Sequence, residues 1–423
     1  MKSEAEKGMS VLVIGGGIVG LCCAWDLLRR GASVTLVDDG TPVHSASWGN
    51  AGHIAVEQVT PLASRSVLLS APARLFPITG GPLDLVWKQP GSWLPWFVSY
   101  LSFCTSRSEK AGQAALQGLL ADALDAWRHL LAGLNANDLL RVDGHYMVWG
   151  QPSDATRRKM HKALAVPTGT ATRRPMTLAE CEEVQTTYGY LPALGIKFSG
   201  PGRLSPPGKV LDVLRDALRA HGQIVTGRVL RVSSADGRAG VHLDDGRVLE
   251  ADRVLVAAGA RSSEILPEYT RYLIAERGYH IEWDHGGVPS APPVVFSDHS
   301  TIVSCMGDRM RASTFVEFGK WDTPPDISKW EHLETFVRSA GFPIRSGFSR
   351  WMGARPTTPD YLPMLGPVPH RPGVFAAFGH QHLGLTLAAV TASAMASLIM
   401  GQAIGRDLRP FEPARFRTRQ SHA

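Results

Sequence analysis

The first forty residues alternate short apolar runs with glycines and one helical stretch. VLVI (11–14) has the pattern of a short buried strand, and the GGGIVG that follows it predicts a tight turn. LCCAWDLLRR has the composition of a helix ending at Gly31, and ASVTLVDD (32–39) predicts a second strand. A strand, a helix and a strand in this order predict a βαβ unit, and hence a parallel sheet covered by helices.

Later segments carry other patterns. PGKVLDVLRDALRAHG (207–222) predicts an amphipathic helix that begins with proline and ends with glycine. ERGYHIEWD (276–284) and RASTFVEFG (311–319) alternate apolar and polar positions, which is typical of strands. WMGARPTTPDYLPMLG (351–366) holds three prolines, so we expect a shaped loop rather than a helix or a strand. Because these patterns interleave along the chain, we expect two domains that are each discontinuous in sequence.

The composition is that of an ordinary folded protein. The 423 residues exceed a typical single core, and 44% of them are hydrophobic and 19% charged. The net charge of +6 comes without a basic–aromatic stripe, so we expect no nucleic-acid partner. Five cysteines without a CxxC pair indicate reduced thiols in a cytoplasmic protein and no metal site.

Three segments bear on membranes. The N-terminal MKSEAEKGMS is charged and VLVI is too short for a secretory signal, so no signal peptide is expected. Residues 383–400 are uncharged over nearly the length of a membrane span, but their serines, threonines and alanines favour a buried helix. In 85–103, Trp87, Trp93 and Trp96 lie among few charges. This fits either helices packed over a domain or peripheral contact with the inner face of the cell membrane.

The glycine-rich turn has the spacing of a dinucleotide-binding fingerprint. Gly15, Gly17 and Gly20 form GxGxxG between a predicted strand and a predicted helix, which opens with Ile18 and Val19. Backbone N–H groups at such a helix start, and its partial positive charge, favour a pyrophosphate. The pattern predicts an adenine dinucleotide but does not by itself separate FAD from NAD.

Two other strand ends complete the candidate nucleotide site. Asp38 and Asp39 end the second predicted strand, where a carboxylate accepts hydrogen bonds from ribose hydroxyls and disfavours a 2′-phosphate. DRVLVAAGARSS (252–263) is a buried strand running into small residues, where the backbone of Ala258 and Gly259 can pass close to a ligand. An ordinary strand end explains the same turn, but together with GxGxxG it favours a second contact with FAD.

The combination of these segments resembles one family. VLVIGGGIVG, VTLVDD and RVLVAAGA are similar to the nucleotide-binding segments of the FAD-dependent D-amino-acid oxidase superfamily. WMGARPTTPDYLPMLG and GHQHLGLTLA are similar to its C-terminal signature. The resemblance runs nearly end to end and is closest to the D-amino-acid dehydrogenase branch. Family members with covalent flavin carry a cysteine near this signature, and none lies beyond Cys305 here, so the resemblance implies non-covalent FAD.

The resemblance also implies which further residues contact the flavin. SASWGNAGHI (45–54) is similar to the family segment that lines the flavin's phosphates, ribityl chain and ring. At the helix start after GHQHLG, backbone N–H groups face the pyrimidine ring, and a threonine adds a hydroxyl. The residues so assigned are Ser45, Ser47, Asn50, Ala51, Gly52, His53, Ile54, Val229, Gly353, Leu383, Gly384, Leu385 and Thr386.

The patterns and the resemblance together predict the domain organisation. The fold class is α/β, with a Rossmann-like FAD-binding domain and an interleaved α+β substrate domain built on an antiparallel or mixed sheet. The FAD-binding domain is assigned to 9–85, 203–262 and 346–415, and the substrate domain to 86–202 and 263–345.

The resemblance implies dehydrogenation of a D-amino acid, in which hydride passes from the substrate Cα to flavin N5 and leaves an imino acid. Arg355 lies where several family members hold the substrate carboxylate, and a guanidinium suits a carboxylate because it forms two parallel hydrogen bonds. The alternative is that Arg355 pairs with an acid such as Asp360 and ties the loop together. The electrons then pass to a quinone or a redox partner protein, or to O₂ in an oxidase, and the sequence does not decide between them.

Four further side chains are candidates for polar contacts with the substrate. His53 ends the flavin-lining segment, Tyr279 and His280 lie on a predicted strand, and His382 precedes the apolar helix. For each of these four residues the alternative is a structural role, and the same alternative applies to Glu317. The segments ERGYH and GHQHLGLT favour a cyclic substrate such as D-proline or D-hydroxyproline. A flavin-binding assembly protein without turnover, and a subunit that acts only within a complex, are the rival interpretations.

Overall fold

Strands from distant parts of the chain pair into four sheets within the ranges that the computed structural model describes, which are 8–41, 45–204, 206–235 and 237–416. The strands are β1 (Ser10–Ile14), β2 (Ser33–Asp38), β3 (His53–Ile54), β4 (Leu83–Leu85), β5 (Leu140–Arg141), β6 (His145–Trp149), β7 (Thr172–Pro175), β8 (Leu194–Ser199), β9 (Gly202–Leu204), β10 (Gln223–Thr226), β11 (Val229–Ala235), β12 (Arg238–Leu243), β13 (Val248–Ala251), β14 (Arg253–Val256), β15 (Ile274–Asp284), β16 (Val294–Phe296), β17 (Thr301–Met306), β18 (Arg309–Gly319), β19 (Ser349–Thr357), β20 (Met364–Pro367) and β21 (Val374–Phe378). The α-helices are α1 (Ile18–Arg29), α2 (Arg65–Ser70), α3 (Phe76–Thr79), α4 (Leu94–Phe103), α5 (Ser106–Ala121), α6 (Ala123–Ala132), α7 (Asp154–Ala165), α8 (Leu178–Tyr188), α9 (Pro207–His221), α10 (Ser262–Ile265), α11 (Ile327–Ser339) and α12 (Gly384–Ile399). Short 3₁₀ helices are Pro72–Arg74, Pro90–Ser92, Asn137–Leu139, Gly259–Arg261, Pro267–Tyr272, Gln381–Leu383, Arg409–Phe411 and Pro413–Arg415.

A six-stranded sheet carries the predicted βαβ unit. Its strands lie in the order β10-β2-β1-β14-β21-β20, and all neighbours are parallel except the antiparallel pair β20 and β21. Along β1, Val11 and Val13 pack into the layer that contains α1, α9 and α12. Leu12 and Ile14 pack on the opposite face, toward the three-stranded sheet β11-β12-β13. Burial on both faces explains the unbroken apolar run, and the predicted βαβ unit is confirmed.

A nine-stranded mixed sheet forms the other large layer. Eight strands lie in the order β19-β15-β18-β17-β16-β6-β8-β7, and β4 pairs with β18. The pairs β16–β6 and β18–β4 are parallel, and the other pairs are antiparallel. Helix α11 packs against β15 and β18. The predicted fold class, a Rossmann-like sheet combined with a second mixed sheet, is confirmed.

The segment predicted as a loop, 351–366, begins as a strand, so the loop prediction is wrong for its first half. Residues 349–357 form β19, an edge strand that pairs with β15. Pro356 is tolerated there because an edge strand does not need every backbone N–H for pairing. Both β19 and β4 lie in the nine-stranded sheet, although the predicted boundaries at 346 and 85 placed them with the FAD-binding domain. The other domain boundaries stay a prediction.

The apolar stretch near the C-terminus is a central helix of the core. Gln381–Ile399 is, among the described residues, the one helix long and apolar enough by length and composition to cross a membrane, and 78% of its apolar window is buried inside the protein. Helix α12 packs against α1 and α6, and Trp127 donates from Nε1 to Leu385 O at 3.0 Å. This placement agrees with the predicted buried helix.

Candidate active site

A cavity of about 990 Å³ lies between the six-stranded and nine-stranded sheets. The turn between β1 and α1 forms part of its lining, and at its first two glycines there is little space for side chains. A Cβ on Gly15 would lie 2.6 Å from Ala257 O, and a Cβ on Gly16 would lie 2.7 Å from the Asp38 carboxylate. Gly15 also has a φ of +109°. Only glycine fits at Gly15, so backbone rather than side chain faces the cavity at that position.

The two acids that end β2 have different surroundings. Asp38 Oδ2 accepts from Gly16 N at 2.6 Å and Oδ1 accepts from Gly40 N at 3.1 Å, which ties the acid to the glycine turn. Asp39 forms an ion pair with Arg261 at 2.5 Å. A carboxylate oxygen has more than one acceptor site, so Asp38 can still accept from a ribose hydroxyl. The contact expected for Asp39 stays a prediction.

Side chains of the nine-stranded sheet hold the loop 45–54 in place. Arg311 on β18 donates from Nη1 to Asn50 O and to Trp48 O, and its Nε pairs with Glu282 at 2.6 Å. His280 contacts Gly49 O at 3.1 Å through Nδ1. The sequence did not point to Arg311, because its partners in the loop lie more than 250 positions away along the chain.

Most of the residues predicted to contact FAD line the cavity. They are Gly15, Gly17, Ile18, Val19, Asp38, Asp39, Ser45, Ser47, Asn50, Ala51, His53, Val229, Ala258, Gly259, Gly353, Gly384 and Leu385. A glycine turn, an acid at the end of β2 and the first residues of α12 on one cavity fit a flavin dinucleotide. Ser47 supports the same turn, since its Oγ accepts from Ile18 N at 3.0 Å.

Five predicted FAD contacts are not part of this lining. They are Gly20, Gly52, Ile54, Leu383 and Thr386. A Cβ on Gly20 would collide with Gly15 O, so this glycine serves the packing of α1 on the turn. Thr386 Oγ1 accepts from Ala55 N at 3.0 Å. The Thr386 hydroxyl therefore holds the 53–55 segment on α12, and its contact with the flavin stays a prediction.

Arg355 lines the cavity but does not pair with Asp360, which is bound by Arg415 at 2.7 Å. Arg355 Nη1 donates to Glu276 Oε1 at 3.1 Å and to Phe315 O at 3.2 Å. A Cβ on Gly278 would lie 2.7 Å from Arg355 Cζ, so the glycine leaves room for the guanidinium. The alternative is correct in that Arg355 pairs with an acid, but the acid is Glu276 and not Asp360. Sequence reasoning missed Glu276, which lies 79 positions away and is brought opposite by strand register.

His382 also lines the cavity and makes no hydrogen bond with the described residues. Burial lowers the pKa of His382 to about 4, with opposing influences from Glu276 and Arg355 and a smaller one from Glu57. The imidazole is therefore neutral near pH 7. Its ring nitrogens are available to a ligand, and the contact with a substrate stays a prediction.

Tyr279 and His280 line the cavity but have protein partners. The Tyr279 hydroxyl donates to Glu317 Oε2 at 2.7 Å and accepts from Arg277 Nη2 and Asp326 N. His280 stacks on Trp351 with ring centroids 4.7 Å apart and uses Nδ1 on Gly49 O. The Tyr279 hydroxyl has no proton left for a substrate, so its predicted role is corrected to a structural one. Glu317 has the structural role that was its alternative interpretation, because its carboxylate also forms an ion pair with Lys329 at 2.7 Å.

His53 is fixed by an acid that the sequence did not single out. Its Nε2 lies 3.0 Å from Glu57 Oε1, and the two residues are four positions apart. The ring of His145 on β6 meets the His53 ring edge-on, with centroids 4.7 Å apart. All three side chains line the cavity.

The site as a whole is that of a flavoprotein oxidoreductase. The glycine turn that fits a dinucleotide, an arginine and buried imidazoles all line one cavity. The chain belongs to the family of FAD-dependent oxidoreductases, whose family model matches residues 10–398. The family resemblance of the sequence motifs is thereby confirmed, and FAD is the cofactor.

Relatives match the chain over nearly its whole length. The chain is 28% identical over 427 residues to a D-amino-acid oxidase of Bradyrhizobium diazoefficiens, with 97% of this chain and 99% of the relative covered. It is 29% identical over 400 residues to D-amino acid dehydrogenase 2 of Pseudomonas aeruginosa, with 89% and 92% covered.

Solved structures share the fold. Iminodiacetate oxidase from Chelativorans sp. BNC1 superposes with a TM-score of 0.69 at 20% identity, covering 95% of this chain and 98% of that one. Glycine oxidase from Geobacillus kaustophilus superposes with a TM-score of 0.67 at 18% identity, covering 96% and 99%. At these identities the likeness concerns the fold alone.

Proposed function

We propose that the protein is a dehydrogenase of D-amino acids, which oxidises the carbon–nitrogen bond and yields an imino acid. The observation that carries the proposal is Arg355, which lines the cavity and makes its hydrogen bonds through Nη1. Its Nε and Nη2 have no hydrogen-bond partner among the described residues, so they can donate to a substrate carboxylate. Bound FAD supplies the chemistry by accepting hydride from the substrate Cα. The relatives named D-amino-acid oxidase and dehydrogenase support this substrate class.

Glu276 supports the role of Arg355 by fixing the guanidinium. The Glu276 side chain is 1% exposed and accepts from Arg355 and, through Oε2, from Thr357 Oγ1 at 3.1 Å. The guanidinium is thus oriented before any ligand arrives, and little side-chain entropy remains to be lost on binding.

Two imidazoles supply the polar groups for the substrate amine and the flavin surroundings. His382 is neutral and has free ring nitrogens at the start of α12. His53 is oriented by Glu57. The N–H groups at the start of α12 add a partial positive charge in the same part of the cavity, which favours negative charge on a bound flavin.

Anaerobic reduction of the enzyme-bound flavin by a panel of L- and D-amino acids tests the proposal. The panel includes both enantiomers of proline and of hydroxyproline. We expect D-enantiomers to bleach the flavin and L-enantiomers not to do so. Bleaching by L-enantiomers alone contradicts the D-specific assignment. If no amino acid bleaches the flavin, the rival function of an assembly protein is favoured, and size exclusion of native extract then shows whether a complex is required.

The proposal has two more specific parts, which are the acceptor of the electrons from the reduced flavin and a cyclic amino acid as the substrate. Transfer to a quinone or a redox protein is favoured by the relatives named dehydrogenase, and peroxide formation by the reduced enzyme in air would contradict it. The hypothesis of D-proline or D-hydroxyproline rests on ERGYH and GHQHLGLT alone. Because Tyr279 and His280 of the first segment bind protein groups, no contact in the site favours a cyclic substrate.

We also propose that the enzyme is cytoplasmic and touches the inner face of the cell membrane through the surface formed by residues 65–103, here called the 65–103 surface. Trp96 is buried and donates to Thr357 O at 3.0 Å, so part of this segment packs over the nine-stranded sheet. The large apolar side chains left exposed are Leu69, Ile78, Trp87, Leu94, Val98 and Leu101. Exposed cations, Lys88 and Arg107, flank them. This combination suits an anionic lipid surface and a quinone acceptor.

A further inference from the structure

Arg74 is a cation of the cavity lining that no acid among the described residues neutralises. It ends the 3₁₀ helix Pro72–Arg74, lines the cavity and is exposed to solvent. Its guanidinium forms no hydrogen bond or ion pair within the part of the chain that the structure describes. Exposure alone is ordinary for an arginine, and its position near Arg355 is what distinguishes Arg74.

Three arginines of the lining have no acid partner among the described residues, and two of them lie elsewhere in the cavity. They are Arg74, Arg173 and Arg215. Arg215 belongs to the nucleotide turn, since its Nη2 donates to Gly16 O at 2.8 Å. Arg173 lies on β7, at the edge of the nine-stranded sheet opposite to β19, and donates from Nε to Leu164 O at 3.0 Å. The uncompensated positive charge on the Arg355 side of the cavity is therefore that of Arg74.

A short path of contacts joins the guanidinium of Arg355 to the backbone of Arg74. Arg355 Nη1 donates to Phe315 O at 3.2 Å, and the N–H of the same peptide unit donates to Pro82 O at 2.8 Å. The preceding residue, Gly81, touches the backbone of Arg74, since a Cβ on Gly81 would lie 2.8 Å from Arg74 Cα. With standard bond lengths, these steps place Arg74 Cα no more than about 19 Å from Arg355 Nη1.

This separation suits a short dicarboxylate. An arginine side chain reaches about 7 Å from its Cα, so the guanidinium of Arg74 can lie about 12 Å from Arg355 Nη1. Burial raises the pKa of Tyr361, and Arg74 and Arg355 both act in the opposite direction, which places both cations near the same phenol. An extended glutamate with a hydrogen bond to each carboxylate also spans about 12 Å.

We propose that Arg74 binds the side-chain carboxylate of the substrate while Arg355 holds its α-carboxylate, so that the enzyme prefers acidic D-amino acids such as D-glutamate and D-aspartate. A guanidinium suits each carboxylate because it donates two parallel hydrogen bonds. Phe315 and Pro82, which lie on the path between the two arginines, also line the cavity and offer apolar surface to the methylene groups. The proposal rests on the proposed amino-acid oxidation, and it names the substrate class of the same site.

Pairs of substrates of nearly equal size that differ in one charge test the proposal on the unmodified holoenzyme. D-Glutamate is compared with D-glutamine, and D-aspartate with D-asparagine, by anaerobic flavin reduction. We expect kcat/KM to be at least about 10-fold higher for the acidic member of each pair. If the amides react as well as the acids, the role of Arg74 is overturned while the amino-acid function stands. If no D-amino acid reduces the flavin, both fail.

Arg74→Gln tests the residue directly. The ratio of kcat/KM for D-glutamate to that for D-glutamine is expected to fall by about 10-fold or more, because the cation that faces the side-chain carboxylate is removed. Arg74→Lys keeps the charge and should retain more of this ratio. Arg65→Gln is the matched control, because Arg65 is an exposed arginine of α2 outside the cavity lining. Flavin absorbance and the melting temperature report folding. An unchanged ratio in Arg74→Gln overturns the proposal, and so does an equal fall in Arg65→Gln.

Discussion

Arg355 and Glu276 face each other across the β15–β19 pair, with Nη1 3.1 Å from Oε1. Both residues line the cavity, but the Glu276 side chain is 1% exposed and the Arg355 side chain is 26% exposed, so the cation is the more accessible member of the pair. The register that places Glu276 opposite Arg355 fixes this arrangement, because a slip of β19 by one residue would turn Arg355 to the face of the sheet away from Glu276.

The first prediction concerns the shape of the cation at position 355. Arg355→Lys keeps the charge but cannot bind Glu276, Phe315 O and a substrate carboxylate together, because an ammonium lacks the planar fork. We expect kcat/KM for a D-amino acid to fall about 100-fold, equivalent to about 2.7 kcal/mol, with FAD retained. Steady-state kinetics and flavin absorbance measure this. Arg350→Lys, on the same strand but paired with Glu334 at the surface, is the matched control, and an equal loss in both variants would contradict the role of Arg355.

The second prediction concerns the hydrogen bonds by which Arg311 on β18 holds the flavin-lining loop in place. Arg311→Met removes the donor to Asn50 O and Trp48 O and leaves Glu282 with a weaker partner, Arg309 at 3.3 Å. We expect a loss of about 2–4 kcal/mol in the free energy of unfolding, since one partner of a largely buried pair is removed, and weaker FAD binding. Denaturant unfolding and FAD titration of apoprotein measure the two effects. Arg309→Met, which alters a half-buried partner of the same acid, should leave FAD affinity unchanged, and an Arg311→Met protein with normal FAD affinity would refute the role.

The nucleotide half of the site was predictable because its signal is local. Gly15, Gly17 and Asp38 lie within one βαβ unit, and the strand, the turn and the helix constrain one another over thirty residues. At Gly15 the backbone geometry favours glycine alone, and the glycine spacing of the sequence marks this position directly.

The substrate half was only partly predictable because its pairs come from strand register. Glu276 meets Arg355, and Arg311 meets Asn50, across 79 and 261 positions. No periodicity marks such partners. Pro356 led to a wrong prediction of a loop, because prolines favour loops on average. This proline lies in an edge strand, and the position of a strand within its sheet cannot be predicted from local sequence.

The third prediction concerns acid stability. His145 and His380 are buried, and burial lowers the pKa of each to about 3, compared with about 6.5 in an unfolded chain. Below pH 6.5 the unfolded chain therefore binds protons that the folded protein does not, and stability is lost as the pH falls from 6.5 towards 3. Each histidine contributes a slope of about 1.4 kcal/mol per pH unit. In urea unfolding of the holoenzyme, His380→Asn should reduce the slope between pH 6 and pH 5 by about 1 kcal/mol per unit. The same slope in both proteins would show that His380 titrates normally.

The last prediction concerns the 65–103 surface. Leu94 and Val98 lie one turn apart on α4, and both are exposed, so a bilayer can take them up together. Replacing both with serine removes apolar area worth about 1 kcal/mol at each position, so binding to vesicles that contain anionic lipid should weaken about 10-fold or more. Cosedimentation at physiological salt measures the partitioning, and flavin reduction by a soluble D-amino acid should be unaffected. Leu191→Ser changes an equally exposed leucine outside this surface and should bind vesicles like the unmodified protein. If the double variant and the Leu191 control bind equally well, the 65–103 surface does not contact the membrane.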